Sequence, residues 1–132
     1  MGVQLLSLAK AFPAVAGNRG YHPQLLAIRQ AAVSGVYAIA ERRSRRVLYV
    51  GESHSGRLYD TITRHFRSWA VDPSRDAQGR RRGGTTYNRL QVLVAFVITE
   101  ADVAQAAQFA EISRLRPRDN QVDGLSVDQM PV

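Results

Sequence analysis

The sequence predicts an α+β fold, a small and mostly antiparallel three-stranded sheet flanked by helices, preceded by a helical N-terminal extension. Three observations carry that expectation. Two short apolar runs, Gly35–Ala40 and Val47–Gly51, lie either side of the charged stretch Glu41–Arg46, the pattern of an antiparallel hairpin. Across Ser55–Trp69, Leu58, Ile62, Phe66 and Trp69 recur at helical spacing and form one apolar stripe with Tyr59. The run Leu90–Thr99 is apolar on both faces, as in a central strand covered by helices.

The remaining elements follow in chain order. Leu5–Phe12 and Pro23–Val33 carry apolar residues at three- and four-residue spacings and read as short helices around a turn at Gly17–Gly20, with Pro23 acceptable at a helix start. After the hairpin and the Ser55–Trp69 helix comes a basic loop, Val71–Thr86, that holds Arg80, Arg81 and Arg82. The third strand leads into an alanine-rich helix, Ala101–Arg116, that Pro117 stops. The chain divides on this reading into an N-terminal helical extension (1–33), a main domain (34–122) and a polar tail (123–132).

Composition narrows the function. The 132 residues suit one domain, and 45% hydrophobic content suits a packed core. The absence of cysteine excludes a disulfide framework, thiolate metal ligands and a cysteine nucleophile. No apolar run approaches the ~20 residues of a bilayer span, and Gln4, Ser7 and Lys10 interrupt the first apolar stretch. The expectation is a cytoplasmic protein without membrane contact. Eighteen basic against eleven acidic side chains give a net charge of +7, and the pI is about 10.8. The basic residues cluster in the middle of the chain, from Arg42 to Arg89, whereas the C-terminal third is mildly acidic. A field of that shape attracts polyanions, nucleic acid first among them. DNA is the expected partner, and the charge leaves RNA open as well.

Several chemistries are missing. Gly83–Gly84 is followed by neither Lys-Ser nor Lys-Thr, so no phosphate loop is present. His22, His54 and His65 lack the four-residue spacing of a helical zinc pair, and no serine hydrolase signature occurs. What stands out is a pair of strand tyrosines, Tyr37 in Ser-Gly-Val-Tyr and Tyr49 in Leu-Tyr-Val-Gly-Glu-Ser, followed by a basic helix ending Thr-Arg-His-Phe.

Those residues resemble the GIY-YIG endonuclease family. Gly35-Val36-Tyr37 is similar to its first signature and Tyr49-Val50-Gly51 to its second, with eleven residues between the tyrosines. Arg64-His65-Phe66 resembles the end of its basic helix, and Pro117-Arg118-Asp119-Asn120 its closing Pro-x-x-Asn. The resemblance runs from Ser34 to Asn120. It implies a metal-dependent endonuclease that hydrolyses DNA phosphodiester bonds through a tyrosine-activated water. Tyr37 would take the proton from that water, Tyr49 would hold the hydrogen-bond network, and His65 would add a hydrogen bond or a proton path. Arg57 would neutralise the phosphate, and Glu111 would bind one Mg²⁺ or Mn²⁺, both suited to oxygen ligands. Gly51, Arg64, Arg80, Arg81, Arg82 and Asn120 would contact or brace the nucleic acid.

Two positions depart from the pattern. The family's helix arginine precedes the histidine by four, where this chain has Thr61; its metal-binding glutamate lies about twelve residues before the final Asn, where this chain has Gln108. These neutral residues motivate the alternative, a catalytically impaired GIY-YIG-fold module that binds DNA or RNA without cleaving it.

Overall fold

The computed structural model describes residues 6–16, 20–67 and 87–120. Within them the fold is α+β, and the sheet has four strands rather than the three expected. The strands are β1 (Phe12–Pro13), β2 (Ser34–Glu41), β3 (Val47–Ser53) and β4 (Val92–Thr99); the helices are α1 (Pro23–Leu26), α2 (Leu58–Arg67) and α3 (Ala101–Leu115). The sheet order is β1-β4-β2-β3, and every pairing is antiparallel.

The extra strand comes from the segment read as a helix. Leu8–Lys10 makes one 3₁₀ turn, and Phe12–Pro13 then pairs with Val94 and Leu93. The local reason is Pro13: the residue before a proline is pushed out of the α region toward extended backbone, which places Phe12 on the sheet. The second expected helix is also shorter. After the four residues of α1, the bonds Ile28 N–H to Leu25 O, Arg29 N–H to Leu26 O and Ala31 N–H to Ile28 O continue as three-residue turns. That spacing buries Leu25 and Ile28 on one side.

The hairpin forms as expected, with Tyr37 opposite Gly51 and Ile39 opposite Tyr49. The register then shifts, so that Ala40 faces Val47 and Leu48 is an extra residue on β3. α2 starts at Leu58 rather than Ser55. Gly56 before it has φ +74°, a left-handed turn that glycine adopts without strain. The Ser34 and Ser53 hydroxyls accept the Gly56 and Arg57 amides, and Leu58 N–H donates to Val33 O, so this entry is tied to the start of β2 and the end of β3. The expected continuation to Trp69 lies outside the described residues, as does the loop with Arg80, Arg81 and Arg82. α3 ends at Leu115, where Arg116 turns left-handed (φ 49°) ahead of Pro117.

Side-chain alternation along the strands divides the core in two. Tyr37, Ile39, Val92, Val94 and Phe12 pack with Leu58, Ile62 and Phe66 of α2. On the other face Val36, Ala38, Val47 and Val50 pack with Ala107 and Ile112 of α3 and with Leu6. No helix among the described residues is long and apolar enough to cross a membrane.

Candidate functional site

The parity that puts Tyr37 on the α2 face also puts Tyr49 and Gly51 there, on the neighbouring strand. His65 comes to the same place from α2, between the buried positions Ile62 and Phe66. The Tyr37 hydroxyl and His65 Nε2 are hydrogen-bonded at 2.6 Å. The His65 ring lies 4.7 Å from the Tyr49 ring and 5.6 Å from the Tyr37 ring, centroid to centroid. The resemblance therefore selected three side chains that meet in space. A phenol and an imidazole at that distance share a bond along which a proton can move. The pair is sealed, however: Tyr37 is 1% exposed and His65 5%.

Gly51 has a different part from the one expected. A Cβ at this position would lie 2.3 Å from the Tyr37 hydroxyl and 2.4 Å from its Cζ. The room that glycine leaves is filled by the Tyr37 ring, with Gly51 itself buried. Asn120 is likewise occupied by the fold. Its Oδ1 accepts the Val50 amide at 2.9 Å and its Nδ2 donates to Val50 O at 2.8 Å. With Arg118 N–H on Val47 O and Asp119 N–H on Leu48 O, the segment 118–120 covers the outer edge of β3.

Three residues join the site that sequence reasoning did not select. Tyr87 N–H donates to the His65 carbonyl at 2.8 Å, and its ring lies 5.9 Å from the imidazole. Its hydroxyl donates to Asp119 Oδ2 at 2.8 Å. Arg118 grips the same carboxylate with Nε and Nη2, at 2.6 and 2.8 Å. The hydrogen bond that Arg118 donates to Asp119 raises the arginine's pKa above its ordinary value, against a smaller opposing effect of burial. This arginine is thus a permanent cation. Asp119 sits inside the Pro-x-x-Asn segment and was in view; Tyr87 follows a polar stretch with no periodicity to flag it.

The two expected arginines lie at the surface. Arg57 precedes the first residue of α2, its guanidinium 3.6 Å from Asp60 and its side chain 65% exposed. It is eight residues from His65, about 12 Å along a helix axis. Arg64 is exposed beside His65. Thr61, where the resemblance would call for an arginine, donates its hydroxyl to Arg57 O at 2.8 Å.

Glu111 does not join the tyrosines. It is 0% exposed and faces the α3 side of the sheet, where Oε2 accepts the Leu6 amide at 2.9 Å. Its Oε1 accepts Nε and Nη2 of Arg114, at 2.9 and 2.6 Å. A divalent ion there would have to displace a guanidinium and an amide inside a closed layer. Among the described residues no group of three or more His, Cys, Asp or Glu could hold a metal ion. The donor set therefore does not fit the Mg²⁺ or Mn²⁺ site that the resemblance implies at Glu111.

No family model, curated protein or solved structure matches this chain.

Proposed function

We propose that this chain is a nucleic-acid-binding module on a GIY-YIG-like frame, and that it holds DNA without cleaving it by a metal-dependent route. The observation that carries the reading is the placement of Glu111, the chain's stand-in for the family's metal ligand. Both of its oxygens are engaged and it stands across the sheet from Tyr37. Binding is supported by the net charge of +7 and by exposed guanidiniums, Arg57 and Arg64 among them, on the outside of a closed core. Phosphates bind such a surface by releasing condensed counterions, so affinity falls steeply as salt rises.

A second reading, the metal-dependent endonuclease, is favoured by the Tyr37–His65 bond and the Tyr49 ring beside it. In that reading the phenol and imidazole would pass a proton once the pair is opened to substrate. Labelled duplex DNA titrated with the protein separates the two. The binding module gives salt-sensitive association that is equal in EDTA and in Mg²⁺, with the DNA intact after prolonged incubation. Cleavage that needs Mg²⁺ or Mn²⁺ and disappears in Tyr37→Phe would overturn the first reading in favour of the second.

A further inference from the structure

We propose that the β2–β3 hairpin carries a phosphate-contact surface of its own, made by Arg43, Arg46 and Arg118, that seats the backbone of duplex DNA beside Tyr49. This inference rests on the nucleic-acid reading above and assigns a surface to it.

Four arginines occupy five positions of the turn, Arg42, Arg43, Arg45 and Arg46, around Ser44. Like charges so close repel, so a turn with no purpose for them would be expected to spread them out. Two of the four are struts. Arg42 donates its backbone N–H to Gln91 O at 2.9 Å and reaches Leu90 O with Nη1 at 3.5 Å. Arg45 adopts left-handed backbone (φ 63°) and its Nη1 donates to Leu8 O at 2.9 Å. Ser44 bonds the Glu41 carboxylate and accepts the Arg46 amide, which takes up the one acid of the turn. The loop is therefore fixed on both sides before any ligand arrives, and an ordered loop loses little entropy on binding.

Arg43 and Arg46 are the other two. Both are exposed, and neither side chain makes a hydrogen bond or ion pair among the described residues. Arg118 stands next to Arg46. Its amide donates to the carbonyl of Val47, the residue after Arg46, so the two guanidiniums spring from adjacent backbone. Asp119 takes Nε and Nη2 of Arg118, and its Nη1 has no partner among the described residues. From there the covered edge of β3 continues through Leu48 to Val50, with Tyr49 between. The cations thus begin at the hairpin and lead toward the tyrosine site.

The chemistry of the patch selects a duplex. Single strands are held by exposed aromatic rings on which bases stack, whereas this patch offers guanidiniums and no exposed aromatic. Among the described residues the exposed large hydrophobics are Leu26, Leu90, Ile98 and Phe109, and the one aromatic of these lies on α3. Guanidiniums without stacking partners suit phosphates presented by a regular backbone.

The test is the salt dependence of binding to a short labelled duplex, for the wild type and for Arg43→Gln/Arg46→Gln. Loss of two phosphate contacts should lower the slope of log affinity against log salt by about 1.8, at ~0.9 per phosphate. Arg43→Lys/Arg46→Lys keeps the charges and should keep the slope. Arg29→Gln removes an exposed arginine five residues before the other end of β2 and should leave the slope unchanged. Circular dichroism and thermal melting establish that each variant is folded, and the single substitutions serve if the double one is not. A wild type without salt-sensitive binding overturns the functional reading itself. A wild type that binds, with the same slope in the Gln variant, overturns this surface alone. A slope change confined to single-stranded DNA overturns the duplex as the partner.

Discussion

Replacing Gly51 with alanine tests the packing on which the site depends. The new Cβ would fall 2.3 Å from the Tyr37 hydroxyl, 2.4 Å from Cζ and 2.7 Å from Cε1. The ring has no easy way to yield, because Tyr37 is 1% exposed and its hydroxyl is held by His65. Forcing extra volume into a packed core costs about 1–3 kcal/mol. Parting the hydroxyl from the imidazole, with both still buried, costs about 1–3 kcal/mol more. Alanine's preference over glycine in a strand offsets about 0.5–1 kcal/mol. The expected loss is about 1–5 kcal/mol, a sizeable part of the ~5–15 kcal/mol that keeps a domain folded. The assay is urea unfolding of a double-mutant cycle with Tyr37→Leu, which removes Cε, Cζ and the hydroxyl. In the leucine background Gly51→Ala should cost less than about 1 kcal/mol, leaving a coupling of roughly 2 kcal/mol or more. An equal cost in both backgrounds would refute the argument that Gly51 exists to make room for Tyr37.

Two further substitutions probe the remaining motif residues. Asn120→Ala removes both side-chain bonds to the Val50 backbone, and should cost about 1–3 kcal/mol. The Val50 amide should lose protection from hydrogen exchange, and unchanged exchange there would show that the edge of β3 does not depend on Asn120. Glu111→Gln keeps an acceptor for the Leu6 amide but deprives Arg114 of its charge partner. With Arg114 42% exposed on its side chain, the expected cost is about 1–3 kcal/mol rather than the larger penalty of a fully buried pair. Mg²⁺, Mn²⁺ and EDTA should leave the melting temperature of both proteins unchanged. A metal-induced rise in the wild type that Glu111→Gln abolishes would make Glu111 a ligand.

The parts of the fold that were legible are those with strong periodicity. The stripe Leu58, Ile62, Phe66 and the apolar runs of the hairpin and the third strand each fixed an element type; the hairpin register of the folded chain then puts Tyr37 and Tyr49 on one face. What local pattern could not reveal was competition from longer-range contacts. Leu5–Phe12 carries helix-like spacing, yet Pro13 extends Phe12 and Val94 pairs with it. Tyr87 belongs to the site through two bonds to residues 22 and 32 positions away, a relation that no spacing rule contains. Gly51 is expected at the nucleic acid, whereas the group that approaches it is the Tyr37 ring, an internal partner.

Glu111 shows how narrow the margin was on the other side of the sheet. Positions 108 and 111 differ by about 60° around a helix and ~4.5 Å along it. That step separates two neighbourhoods. Gln108 reaches the β3 edge, its Nε2 3.4 Å from the Val50 carbonyl that also accepts from Asn120. Glu111 instead meets Leu6 and Arg114. So the position twelve residues before Asn120 stands with Asn120 on one strand edge, and its amide offers protons to a carbonyl. A carboxylate at 108 would set negative oxygen against that carbonyl and would have to turn away from it, whereas the amide is matched to the edge it meets. At 111 the situation is reversed: an amide N–H and a guanidinium converge there, and a carboxylate is the side chain that satisfies both. Each residue type thus follows from the partners its position supplies, and the only acid on this face of α3 is committed to holding the N-terminal segment against the helix.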